Sequence, residues 1–107
     1  MNGQRTRRAA LLGGVFLALA ACGAPGRIEG ACLASGRPGA TPGMCGCVQS
    51  VANRMLDRSE QRLAARFFPD PHRAQEIRQS DTAAHDAFWA RYRDFGEAVE
   101  RSCARYR

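Results

Sequence analysis

Two cysteines separated by a single glycine, Cys45-Gly46-Cys47, are too close to bond to each other comfortably. The expectation is that each finds its partner elsewhere, and this restricts the arrangements open to the chain. The other cysteines are Cys22, Cys32 and Cys103. Five is an odd number, so an exported chain of this kind leaves one thiol over. The pairing matters because the apolar supply is small. Val48, Val51, Met55, Leu56, Leu63, Phe67, Phe68, Ile77, Phe88, Trp89, Tyr92, Phe95 and Val99 make up most of the candidate core in 107 residues. A domain of this size is marginal without covalent staples.

The odd thiol has a use near the N-terminus. Met1–Arg8 carries three arginines and no acid, and Ala9–Ala21 is an uncharged apolar run. A helix over that run reaches about 20 Å, short of the ~30 Å needed to span a hydrocarbon core. The segment reads as an export signal rather than a membrane anchor. Ala18-Leu19-Ala20 would fit ordinary cleavage before Ala21. Leu19-Ala20-Ala21-Cys22 instead resembles the lipobox of bacterial lipoproteins, in which the cysteine is acylated and becomes the first residue. Acylation of Cys22 leaves four cysteines, an even number. The expected organisation is a signal peptide over 1–21, a flexible tether over 22–31 and a helical domain over 32–107. Gly23 in place of an aspartate favours sorting to the outer membrane, facing the periplasm.

All sixteen basic residues are arginine, and there are ten acids. Arg5, Arg7 and Arg8 precede Cys22, so the exported part carries thirteen arginines against ten acids, a net charge of +3. Export removes the case for a nucleic-acid partner. The expected partners are the membrane, through Cys22, and an envelope protein of unknown identity.

From Met44 onward, apolar residues recur at steps of three and four, the signature of helices with one buried face. A first helix is expected over about Gly46–Leu56. Asp57 and Glu60 have capping-box spacing ahead of a second helix to about Phe68. Asp70-Pro71 supplies an N-cap and first-turn proline for a third. That third stretch either runs unbroken to about Ala104 or breaks near Ser80-Asp81-Thr82, with Asp81 in the apolar stripe favouring the break. Gly23–Ala31 and Leu33–Gly43 read as loops, because glycine and proline punctuate both. The fold class is all-α: a small, disulfide-stapled, antiparallel helical bundle.

Cys47 shares a side with Val51 and Met55, and Cys103 continues the stripe of Phe95 and Val99. Antiparallel packing of those stripes selects Cys47–Cys103 and leaves Cys32–Cys45 to close the Gly/Pro loop. The swapped pairing, Cys32–Cys47 with Cys45–Cys103, is the alternative. Two chemical uses compete with stapling. Cys45 and Cys47 would serve as a thiol-disulfide redox pair, or the four cysteines would bind zinc, although C-x-C is not usual zinc spacing. His72 and His85 fall in no ligand motif, and His85 is expected at the surface. Arg54, Arg58, Arg62 and Arg66, spaced by four, would form a basic row on a continuous helix, a candidate contact for acidic lipid headgroups; the expected break near Asp57 interrupts it, and a solvated face is the competing reading. Trp89 lies off the apolar stripe and is the aromatic residue expected to reach solvent. No cofactor or catalytic residue is expected.

The stretches ACLASGR, CGCVQSVAN, SEQRLAARFFPDPHRAQEIRQSD and FWARYRDFGEAVERSC resemble a family of small alphaproteobacterial lipoproteins, some of which carry the name "arginine transporter". The resemblance covers nearly all of the chain after Cys22. It implies a link to arginine uptake, and it brings no catalytic motif. A transporter needs spanning helices or a closed barrel, so the chain would at most assist one. Asp86, Asp94, Glu97 and Trp89 are the nearest candidates for an arginine site. The expected function is therefore non-catalytic binding or scaffolding in the envelope, with transport accessory and redox protein as alternatives.

Overall fold

The computed structural model describes residues 26–107. The signal segment, Cys22 and the first part of the expected tether lie outside them. Among the described residues five helices run in order: α1 (Arg27–Ala34), α2 (Pro42–Met55), α3 (Arg58–Ala65), α4 (Pro71–Arg78) and α5 (Ala83–Ser102), followed by a 3-10 turn at Ala104–Tyr106. No strand occurs among the described residues. The molecule is an all-α bundle, as the apolar spacing requires.

α1 corrects the expected tether over 22–31 and the reading of its C-terminal end as loop. Ile28 and Cys32, four residues apart, are both buried, and the helix packs on α2 and α3. An eight-residue helix with Gly30 inside it would not form alone, because nucleation is costly and glycine disfavours the helix. Two tertiary contacts supply what its sequence lacks. Cys32 is bonded to Cys45 of α2, with Cα atoms 5.6 Å apart. Gly26 at the N-cap has no capping side chain, and Gln49 of α2 provides one instead, its Oε1 accepting the Glu29 N–H at 2.9 Å. Gly36 then ends the segment with φ +68°, the left-handed region that glycine enters without penalty.

α2 begins four residues earlier than the apolar pattern suggests. Thr41 caps it, accepting the Met44 N–H at 3.2 Å, and Pro42 takes the first turn. Leu56 leaves the helix in extended conformation. Asp57 opens α3 with a reciprocal capping box: Oδ1 accepts the Glu60 N–H, and Glu60 Oε1 accepts the Asp57 N–H, each at 2.9 Å. Asp70 stands at the start of α4 as expected, but its side chain makes no capping bond. The third stretch does break. α4 stops at Arg78, and Thr82 caps α5 by accepting the His85 N–H at 3.2 Å. His85 is half-buried rather than at the surface, its Nδ1 2.7 Å from Ser80 Oγ across the break.

α5 packs on α2 and α4. Val51, Leu56, Phe67, Ile77, Phe88 and Phe95 form the buried core together with Ile28, Ala52, Ala64 and Ala98. Phe67 meets Phe88 and Tyr92 edge-on, with ring centroids 6.0 and 5.3 Å apart. Cys47, in the second turn of α2, is bonded to Cys103 after α5, with Cα atoms 5.9 Å apart. Beside that bridge Tyr106 lies across Gly43; a Cβ there would come within 2.7 Å of the ring, so a side chain at that position would displace Tyr106. Glu60, buried in α3, pairs through Oε2 with Arg91 Nε of α5.

Candidate functional site

The four described cysteines are all consumed by the two bridges. Cys45 is fully buried and Cys47 half-buried, and the two are bonded to different partners rather than to each other. This geometry gives the C-G-C segment a stapling role at the α1–α2–α5 junction. No group of histidines, cysteines and acids suited to a metal ion occurs among the described residues. No described helix is long and apolar enough to cross a membrane.

The most constructed polar feature is a depression of about 300 Å³ where α1, α2 and α3 meet. Its floor is a carboxamide network. Gln49, nearly buried, donates from Nε2 to Asn53 Oδ1 at 2.8 Å and to Gln61 Oε1 at 2.9 Å. Gln61 Nε2 in turn donates to the Leu56 carbonyl at 3.1 Å and to the Ala52 carbonyl at 3.3 Å. The Ala52 carbonyl already accepts the Leu56 N–H at 2.8 Å and the Leu56 carbonyl lies just past the end of α2, so Gln61 bonds on both sides of the corner. The network therefore fixes the α2–α3 corner and holds the start of α1. Gly26 completes the wall: a Cβ at that position would fall 2.3 Å from the Gln49 carboxamide, so a side chain there would push Gln49 out of its network.

The rim is cationic. Arg27 comes from the first turn of α1, and Arg58 and Arg62 come from one face of α3. Arg27, Arg58 and Arg62 form no ion pair among the described residues, and residues 1–25 contain no Asp or Glu to supply one. Of the nearby acids, Glu60 pairs with Arg91 and Asp57 caps α3, while the Glu29 carboxylate lies against Gly46 and forms no ion pair with the three arginines. Three guanidiniums over a neutral, hydrogen-bonded floor attract planar or tetrahedral anions, which arginine takes in bidentate fashion.

The expected basic row is thus corrected in its membership. The break at Leu56–Asp57 puts Arg54 on another helix, where its Nη1 donates to the Ser50 carbonyl at 3.4 Å. Arg66 follows the end of α3, and neither lines the depression. Arg58 belongs, with Arg62, and Arg27 joins them. The spacing rule could not include Arg27, because it lies in a segment that reads as loop.

Trp89 is half-buried against Tyr92, with ring centroids 5.4 Å apart, and reaches solvent in part, while Phe88 and Phe95 are buried. Asp86, Asp94 and Glu97 are exposed along α5. Asp86 and Asp94, eight residues apart, are separated by about 12 Å of helix, and the three acids line none of the depressions described. A second, more apolar cleft of about 200 Å³ lies between Phe67, Phe68, Pro71, Ala74 and Tyr92, with the Arg37 guanidinium 5.8 Å above the Phe68 ring. Burial pushes the Tyr92 phenol above its ordinary value, and Arg37 partly offsets the shift.

No protein-family model, curated protein or solved structure matches this chain.

Proposed function

We propose that the chain is an envelope lipoprotein, held to a membrane through Cys22, whose disulfide-stapled helical domain binds rather than catalyses. The observation that carries this reading is the cysteine count. Cys32, Cys45, Cys47 and Cys103 are satisfied as two bridges, which leaves Cys22 as the odd thiol, and Cys22 follows Leu19-Ala20-Ala21 at the end of an apolar run. Two structural disulfides also favour an oxidising compartment. The polar depression rimmed by Arg27, Arg58 and Arg62 is the binding surface of the domain, and anions are its ligand class.

Mass spectrometry of the mature N-terminus tests the anchor. The expected product begins at Cys22 and carries acyl chains, and Cys22→Ser should leave the membrane fraction. A mature chain beginning at Ala21 with an unmodified thiol, or membrane association unchanged in Cys22→Ser, would overturn the proposal.

A further inference from the structure

We infer that the face bearing Arg27, Arg58 and Arg62 is the one the domain lays against its own membrane, with the guanidiniums on the phosphates of anionic phospholipid headgroups. The inference rests on the anchor at Cys22 proposed above.

Tether length gives the first argument. Three residues separate Cys22 from Gly26, which makes four residue steps, and a fully extended chain covers at most about 3.6 Å per step, so Gly26 stays within about 14 Å of an acylated Cys22. Gly26 is itself part of the wall of the depression, and Arg27 is the next residue. The attachment thus brings this rim to the lipid surface before any other part of the domain.

Charge gives the second. Several arginines are engaged within the fold: Arg73 pairs with Glu76 and Arg91 with Glu60, Arg37 and Arg105 lie over aromatic rings, and Arg54 caps a carbonyl. The three that converge beside the tether carry no carboxylate partner. Their charges are available to a surface that attracts each nearby arginine by about fivefold in partition at physiological salt. The floor of Gln49, Asn53 and Gln61 is already internally bonded, so it holds the rim in place without neutralising it.

The test uses the mature protein extracted from membranes, with its N-terminal mass recorded first. It is placed in vesicles of phosphatidylcholine alone or with about one-third phosphatidylglycerol, and arginines are labelled with phenylglyoxal and read by mass spectrometry. Arg27, Arg58 and Arg62 should label at least about fivefold more slowly on the anionic vesicles. Arg93 and Arg101 of α5 should be unchanged, and molar salt should abolish the protection. The double variant Arg58→Gln/Arg62→Gln removes two exposed side chains without partners, so the fold should survive and the protection of Arg27 should be lost.

Equal labelling on both vesicle types would overturn the inference. So would equal protection of the α5 arginines, which would mean no oriented face. Protection by millimolar inorganic phosphate on phosphatidylcholine vesicles, matching that on anionic ones, would assign the site to a soluble anion instead. An unacylated N-terminus would defeat the anchor alone; the same labelling of that protein on anionic vesicles still decides the arginine face.

Discussion

Gln49 belongs to the interior of α2, yet its carboxamide completes the start of α1 and the corner between α2 and α3. Its acceptor oxygen takes the Glu29 N–H, and its donor nitrogen reaches Asn53 and Gln61. Each net hydrogen bond contributes about 1 kcal/mol, and an abandoned buried partner costs more than that. Gln49→Ala should therefore destabilise the domain by about 2–3 kcal/mol in urea denaturation, with amide exchange accelerated first in α1. Asp57 is the second residue with a measurable consequence. Bonds from the Glu60 N–H and the Ser59 hydroxyl hold its carboxyl below the ordinary value of 3.8. The folded value lies below the unfolded one, so the cap contributes fully above about pH 3.8 and fades as the pH falls through the folded value. Asp57→Asn keeps an acceptor oxygen but cannot titrate. Its urea midpoint should fall less than that of the wild type between about pH 5 and pH 2.5, and equal slopes would remove Asp57 from the account of acid sensitivity.

At the scale of elements, α1 is held by its surroundings. It has a glycine inside and a glycine at its N-cap. What holds it is Ile28 in the core, the Gln49 cap and the Cys32–Cys45 bridge. Cys32→Ser opens a bridge of sequence separation 13, worth about 3 kcal/mol in the chain-entropy model. The loss should appear as fraying of α1, seen as faster amide exchange there, with α5 protected as before. The other elements carry their own boundaries. Thr41-Pro42 starts α2, the Asp57–Glu60 box starts α3, and Thr82 starts α5. Thr41-Pro42 has the same logic as Asp70-Pro71 and was legible in the sequence. The glycines around it, at Gly39 and Gly43, obscured it.

Across the whole molecule, Cys47–Cys103 joins the second turn of α2 to the end of α5, a separation of 56 residues. The long loop restricts the unfolded chain more than the short one does, by about 4 kcal/mol against about 3. Cys103→Ser should therefore lower the melting temperature more than Cys32→Ser, and it should do so cooperatively, with α2, α4 and α5 losing exchange protection together. A milder effect than Cys32→Ser would mean that the packing of Phe67, Phe88 and Phe95, rather than the bridge, fixes the α2–α5 register.

The sequence by itself determined the helical class, the core stripe from Val51 to Phe95, the break before Thr82 as the favoured option, and the two disulfides. These follow from local periodicity, caps and the inability of Cys45 and Cys47 to serve each other. It also put Arg58 and Arg62 on one face, where both line the polar depression. Only the tertiary structure made α1 a helix, because its cap and its staple come from α2 across the Gly36–Thr41 turn. Only the tertiary structure replaced Arg54 with Arg27 beside Arg58 and Arg62. A row spaced by four exists only while one helix continues, and the Leu56–Asp57 corner turns that row aside while the fold carries the start of α1 to meet it.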